Sequence, residues 1–348
     1  MASSNEIWQR LLLLESRDLV TQLFQEIHGR ELSAVRAKEI GAGARQAREY
    51  FRHAESADFS VRPLLAFYGA ASLARALTLL LRPRGGEECL TRGHGIETIG
   101  WSNSLSGDLS SALCAIAVLK IRTTAGLFQD LLNATQNRMC VRVRSEAVDG
   151  QIQYDIPAIG QEISFFEILE RLPDLRPDLL RAKRPLRFAR INEVKLVDGV
   201  VSATVAANEF SSFQHSYAAL GYTISAGEQI TGFSGVQAAR KDAIPQFLHT
   251  YVQKAFGAIP SLHVVEPFDS SVYYSQIAVT YLAAYVLGML ARYFPTHWTA
   301  MTAGSKGDGL WPTLNRAQHY VESAFPELVT ELIDNVIAVP LQRATSSE

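Results

Sequence analysis

Two long apolar segments, at residues 63–81 and 273–293, are the feature that most constrains how this chain can fold. Each is long enough for about five turns of helix, and most of its positions are apolar. A helix that is apolar on all sides must be covered by other parts of the chain. The sequence therefore predicts two central helices that pack together, with Ala284 and Gly288 allowing a close approach.

A membrane span is the alternative for such segments, because about 20 apolar residues can cross a bilayer. Arg75 in the first segment and Gln276 and Thr280 in the second argue against a span, since polar groups are costly in lipid. The three cysteines are widely spaced, and the N-terminus lacks the basic-then-apolar pattern of a signal peptide. We therefore expect a cytoplasmic protein with no membrane partner.

The middle of the chain changes from helical to strand-like spacing. Residues 139–144 and 151–156 alternate with a period of two, and residues 194–205 predict a hairpin that turns at Asp198-Gly199. The predicted fold is mainly α (α+β), with a helical bundle built from both ends of the chain. Its predicted parts are an N-terminal helical part, 1–138, a β-containing insertion, 139–235, a C-terminal helical part, 236–340, and a polar tail, 341–348.

Local patterns predict several shorter features. Apolar residues at three- and four-residue spacings near the N-terminus predict a helix, followed by a second one over 31–54. Ser164 and Glu167 have the spacing of a helix capping box. Near the C-terminus, residues 311–324 and 326–338 predict a pair of helices.

Arg292 and His297 are the candidate catalytic pair. Side chains five residues apart on one continuous helix point about 140° apart, but Pro295 breaks the helix and lets both turn toward one pocket. An arginine can hold a phosphate, and a histidine can act as general acid or base on a ribose 2′-hydroxyl. The alternative is an arginine that caps helix-end carbonyls and a histidine on a surface turn.

His94 and Arg75 are candidate binding residues. His94 lies between two glycines, which let the backbone approach a ligand closely and expose the ring; a structural turn is the alternative. Arg75 interrupts an apolar helix, and a buried arginine needs either an anionic ligand or a carboxylate such as Glu49 or Asp58.

A basic run is the last candidate. Residues 176–190 contain six basic residues against one acidic residue. Arg184 and Arg187 in this run, with Arg142 and Arg144 on a predicted strand, could follow a nucleic-acid backbone. A solvated loop is the alternative, because the chain has a formal net charge of −2. No metal-ligand, nucleotide-loop or hydrolase motif is present, so we expect no metal and no cofactor.

The order and spacing of these segments resemble the bacterial YaaC-like family. The resemblance extends along nearly the whole chain and is weakest over residues 139–265. It rests on Trp8, Pro63-Leu-Leu-x-Phe-Tyr-Gly69, Leu73-Ala-Arg-Ala76, His94-Gly95 and, most specifically, Leu287-Gly-Met-Leu-Ala-Arg-Tyr-Phe-Pro-Thr-His-Trp298.

The apolar helix followed by His-Gly also resembles HEPN domains, small helical bundles that are often dimeric and include many RNA-cutting toxins and phage-defence proteins. Their catalytic signature, Arg-x4-6-His, falls here on Arg292 and His297. The resemblance implies a homo-oligomer that acts on RNA in anti-phage defence as a metal-independent ribonuclease, with Arg75 and His94 supporting the site. Non-catalytic HEPN relatives imply the alternative, a binding or scaffold subunit with a protein partner in a defence or stress-response complex.

Overall fold

The structure, a computed structural model, is mainly helical with small antiparallel sheets, which confirms the predicted α+β class. It describes residues 4–141, 150–197, 200–219, 222–226, 230–236, 252–256, 261–268, 272–304 and 308–338.

Helices dominate both ends of the chain. In chain order they are α1 (Ser4–Leu11), α2 (Arg17–His28), α3 (Ala34–Ser56), α4 (Arg62–Leu81), α5 (Trp101–Ser104), α6 (Leu109–Ala115), α7 (Leu127–Thr135), α8 (Phe165–Leu169), α9 (Arg176–Arg181), α10 (Ala207–Phe210), α11 (Gln214–Ala219), α12 (Gln276–Tyr293), α13 (Pro295–Thr302) and α14 (Trp311–Ala338).

The described strands form three antiparallel sheets, with the orders β1-β2-β5, β3-β4 and β10-β11-β6-β7-β9-β8. Their bounds are β1 (His94–Ile99), β2 (Lys120–Gly126), β3 (Arg138–Val141), β4 (Gly150–Gln153), β5 (Glu162–Ser164), β6 (Phe188–Val197), β7 (Val200–Ala206), β8 (Thr223–Ala226), β9 (Ile230–Val236), β10 (Val252–Ala255) and β11 (Ser261–Val265).

Helices α4 and α12 are the central helices that the apolar segments predict. Most of α4 and nearly all of α12 is buried, and the two helices pack against each other. The contact is close at Gly288, where a Cβ atom would lie 2.8 Å from the Cβ of Phe67 and 3.3 Å from the carbonyl oxygen of Pro63. The small residue is therefore required by the distance between the two helices.

Replacing Gly288 by leucine should lower the free energy of unfolding by about 1–3 kcal/mol, because the new side chain overpacks a filled interface. Urea denaturation followed by circular dichroism measures the change. Gly309→Leu is the matched control, since a Cβ atom there would meet nothing within 4 Å. Equal stabilities of the two variants would contradict the close packing of α4 on α12.

Helix α4 has the length and composition of a membrane span, and 72% of its apolar window is buried inside the protein. Helices α12 and α13 together pass the same test, but they are bent by 102° at their junction. Burial by the rest of the chain explains the apolar character of both segments, since core helices share it.

Several local predictions agree with the structure. Strands β6 and β7 form the expected hairpin, with Val197 paired to Val200; its turn, 198–199, lies outside the described residues. Ser164 and Glu167 form the expected capping box at the start of α8.

The C-terminal helical pair was predicted wrongly, because α14 runs through both segments as one helix. Pro326 lies inside it and is buried. A proline removes one helical hydrogen bond, but packing against α12 favours a continuous helix.

The six-stranded sheet continues past residue 235, the predicted end of the β-containing insertion. Strand β11 pairs with β6, and β10 pairs with β11 at the edge of the sheet. The strand pattern is obscured in β10 because Gln253 and Lys254 are adjacent, polar and both buried. Strands β1 and β2 likewise lie within the part predicted to be helical, 1–138.

The side chain of Gln276, the first residue of α12, joins the helical core to this sheet. Its amide nitrogen donates to the carbonyl of Lys254 at 2.6 Å, and its amide oxygen accepts from the Lys254 N–H at 2.9 Å. The same nitrogen donates to the hydroxyl of Tyr320 on α14 at 3.0 Å. Gln276 is fully buried, so these bonds replace the water it would otherwise bind.

Candidate functional site

Arg292 lies in the last turn of α12, with its side chain at the protein surface. Its Nη1 atom donates a hydrogen bond to the hydroxyl of Tyr68 on α4 at 2.6 Å. Its guanidinium carbon lies 5.0 Å from the ring centre of Tyr293. Among the described residues, Arg292 forms no ion pair with a carboxylate. Its positive charge is therefore available to an anion.

His94, at the start of β1, is the histidine near Arg292. Its half-buried ring lies 5.0 Å from the ring of Phe67 and 6.1 Å from that of Tyr285, measured between ring centres. Burial lowers the pKa of His94, and the positive charges of Arg292 and Arg75 lower it further. The imidazole is therefore neutral near pH 7 and can accept a proton.

The backbone conformation after His94 requires a glycine. Gly95 has a φ of +79°, a conformation that other residues rarely adopt. A Cβ atom there would also lie 2.7 Å from the backbone nitrogen of Phe128. The His-Gly pair thus starts β1 tightly against α7 and holds the imidazole beside α4 and α12.

Arg75 is not buried, contrary to the prediction, because its position on α4 faces away from the core. Its side chain is 48% exposed and lies 3.7 Å from the carboxylate of Glu87. The partners expected from the sequence are engaged elsewhere: Glu49 pairs with Arg52, and Asp58 accepts the Ser60 N–H. Arg75 still contributes positive charge beside His94.

His297 lies on α13, which turns away from α12 by 102°. Its ring centre is 5.9 Å from that of Phe294, and its Nδ1 atom is buried without a hydrogen bond. Within the described part of the chain, no hydrogen bond or ring contact joins His297 to Arg292 or His94. The shared pocket of Arg292 and His297 stays a prediction, whereas His94 has an electrostatic link to Arg292.

The basic run is largely neutralised by carboxylates from distant parts of the sequence. Arg184 pairs with the buried Glu170 at 2.6 Å, and Arg187 pairs with Glu266 at 2.5 Å. These ion pairs favour the structural alternative for both arginines. Arg142 and Arg144 lie outside the described residues.

Two tyrosines beside Arg292 were not predicted as site residues from the sequence. Tyr68 binds Arg292, and its ring centre lies 5.7 Å from that of Tyr50, while Tyr293 is 58% exposed. The sequence signal was present, since each tyrosine lies within a motif already singled out, Phe-Tyr-Gly on α4 and Arg-Tyr-Phe on α12. The surface formed by Arg75, His94, Arg292, Tyr68 and Tyr293 is called the Arg292 surface below.

The Arg292 surface combines positive charge, a neutral imidazole and aromatic rings. Such a surface can bind a phosphate and a neighbouring planar group. Over the described ranges, no group of three or more histidine, cysteine, aspartate or glutamate side chains could hold a metal ion.

Sequence comparison identifies the family. Comparison with curated proteins and with solved structures gave no match. The sequence profile of YaaC-like proteins matches residues 13–333, which include both central helices and every member of the Arg292 surface. The chain therefore belongs to the YaaC-like family.

Proposed function

We propose that the protein binds RNA at the Arg292 surface and cleaves it without a metal ion, in bacterial defence against phage. The observation that carries the proposal is the exposed guanidinium of Arg292, which lies against two tyrosines with no carboxylate partner among the described residues. Arginine binds phosphate through two parallel hydrogen bonds, and tyrosine rings stack on unpaired bases. A single RNA strand offers both groups at adjacent positions.

His94 supplies the proton transfer in this proposal. The 2′-hydroxyl of RNA gives its proton to the neutral imidazole as its oxygen forms a bond to the adjacent phosphorus. The bond from phosphorus to the 5′-oxygen breaks, and that oxygen takes a proton from water. The hydroxide that remains takes the proton from His94, which restores the neutral imidazole. Arg292 offsets the negative charge that develops on the phosphate oxygens. The products are a 2′,3′-cyclic phosphate and a 5′-hydroxyl end.

The HEPN-like arrangement, the homo-oligomer and the cytoplasmic setting belong to the same proposal. The HEPN-like arrangement and the homo-oligomer rest on the resemblance of the central apolar helices and the His94-Gly95 pair to HEPN domains, and the cytoplasmic setting rests on the three widely spaced cysteines. The role in defence rests on the resemblance to HEPN proteins.

The second candidate is a binding or scaffold subunit that holds RNA or a protein partner without cleaving anything. The packing of His94 between Phe67 and Tyr285 favours it, because those contacts also fit a purely structural histidine. The two candidates share Arg292 and differ in what His94 does.

The experiment measures binding of a fluorescein-labelled single-stranded RNA by anisotropy and cleavage of total RNA in the presence of EDTA. Arg292→Gln should weaken RNA binding by roughly 10-fold or more, because a charge-assisted contact is lost. Arg17→Gln is the matched control, an exposed arginine on α2 outside the Arg292 surface. Absence of RNA binding by the wild type would contradict the proposal, as would equal binding by Arg292→Gln.

Two histidine variants then separate the candidates. In the proposed enzyme, His94→Gln abolishes cleavage and keeps RNA binding, while His297→Gln cleaves like the wild type. Loss of cleavage in His297→Gln alone would assign the proton transfer to the HEPN signature instead. RNA binding by all proteins with no cleavage by any would favour the binding subunit.

A further inference from the structure

A cleft lies between the six-stranded sheet and the helical core, apart from the Arg292 surface. Its volume is about 870 Å³, and its walls come from strands β6 and β11, the segment leading into α9, and helix α14. Clefts of this size accommodate ligands as large as a nucleotide. The Arg292 surface contributes none of its lining residues.

Arg190, on β6, supplies free positive charge in this cleft. Its side chain is exposed, and within the described segments it forms no ion pair with a carboxylate. The nearby Glu209 is already engaged: it pairs with Arg176 at 2.7 Å and accepts the backbone N–H of Arg190 at 3.2 Å. The guanidinium of Arg190 can therefore bind an anionic group.

Asp174 supplies a hydrogen-bond acceptor in the same cleft. Its two carboxylate oxygens lie 2.9 and 3.1 Å from the backbone nitrogen of Phe256, which donates to them. It forms no ion pair with an arginine or lysine among the described residues. A carboxylate accepts about four hydrogen bonds, so its remaining lone pairs can accept from a ligand.

The other charged groups of the cleft are balanced. Arg316 on α14 pairs with the buried Asp178, and His319 on the same helix lies 3.8 Å from the carboxylate of Glu322. His263 on β11 is only 6% exposed, and burial lowers its pKa to about 4, so it is neutral near pH 7. The groups left without a protein counter-ion are thus one cation, Arg190, and one carboxylate, Asp174.

We propose that this cleft binds a guanine nucleoside monophosphate, with its phosphate on Arg190 and its base edge on Asp174. Guanine presents two adjacent N–H donors, which match the two oxygens of one carboxylate. Adenine presents one donor beside an acceptor nitrogen, which a carboxylate repels. The site does not depend on the RNA activity, because the two surfaces have no residue in common.

The test is titration calorimetry of the full chain with GMP, AMP, guanosine and inorganic phosphate as separate probes. We expect GMP to bind at least roughly 10-fold more tightly than each of the other three, because it alone makes both contacts. Arg190→Gln should lower GMP binding to the level of guanosine and leave guanosine binding unchanged. Asp174→Asn should weaken GMP and guanosine and leave phosphate unchanged.

Controls address folding and specificity. Arg17→Gln, an exposed arginine outside the cleft, should bind GMP like the wild type, and circular dichroism checks that each variant is folded. If Arg190→Gln does not fold, Arg190→Lys replaces it and should weaken GMP, since lysine cannot bind a phosphate with a planar fork. The proposal is overturned by absence of GMP binding, by phosphate or AMP binding as tightly as GMP, or by GMP binding that Arg190 variants leave unchanged.

Discussion

Replacing Lys254 by methionine should lower the free energy of unfolding by about 3–5 kcal/mol, the largest effect expected of any single change described here. The Lys254 side chain on β10 is 2% exposed and pairs with Glu331 on α14, which is 1% exposed. Without the lysine, the buried Glu331 carboxylate loses the ion pair with the Lys254 ammonium. Urea denaturation gives the free energy directly.

Two further proteins make this prediction specific. Lys120→Met is the matched control. Lys120 is 56% exposed, and its ammonium lies 3.9 Å from the exposed carboxylate of Glu162, so losing this weak surface pair should cost less than about 1 kcal/mol. The double variant Lys254→Met/Glu331→Leu should recover most of the lost stability, since buried ion pairs can be replaced by apolar side chains of similar volume. A Lys254→Met protein as stable as Lys120→Met would show that the pair is not buried as described.

Acidification should change the stabilities of Asp174→Asn and His263→Gln in opposite directions relative to the wild type. Burial lowers the pKa of His263 to about 4 from an ordinary value of 6.5, so His263 contributes stability that is lost as the pH falls through this range. Burial also raises the pKa of Asp174 to about 6 from 3.8, against the charges of Lys254 and Arg316. Asp174 therefore contributes stability that is gained as the pH falls through nearly the same range.

The two contributions oppose each other, so together they should change the free energy of unfolding of the wild type little as the pH falls. Between about pH 7 and pH 4.5, each contribution changes by about 2 kcal/mol. Relative to the wild type, Asp174→Asn should therefore lose about 2 kcal/mol of stability over this interval, and His263→Gln should gain about as much. Denaturation curves of the variants and the wild type at the two pH values measure these changes. The effects of all other titrating groups cancel when each variant is compared with the wild type at the same pH. Parallel changes in all three proteins would contradict the burial of these side chains.

The sequence predicts the helical core well because its signal is local. The apolar sequences of α4 and α12 predict central helices, and Gly288 indicates where they make contact. The predicted hairpin and capping box likewise depend on residues close together in the chain. Strand β10 has no such signal, since its buried Lys254 is stabilised by Glu331, a residue far along the chain on α14.

The candidate site was only partly predictable, because the role of an arginine depends on which carboxylates surround it in space. Arg187 and Arg292 are equally basic in the sequence, yet Glu266 neutralises the first, and the second lies among tyrosines. No spacing rule encodes this difference, because Glu266 reaches Arg187 only when β11 pairs with β6. The His94-Gly95 signal was more informative, since the backbone there requires a glycine.

Gln276, at the start of α12, also determines how the six-stranded sheet can assemble with other chains. Open sheet edges invite additional strands, because their outer N–H and C=O groups are unpaired. At β10, both backbone groups of Lys254 are occupied by the Gln276 amide, so a helix residue takes the place of a neighbouring strand. Among the described residues, β8 lies at the opposite end of the strand order with no further strand beside it, so we expect a partner that extends the sheet to pair with β8.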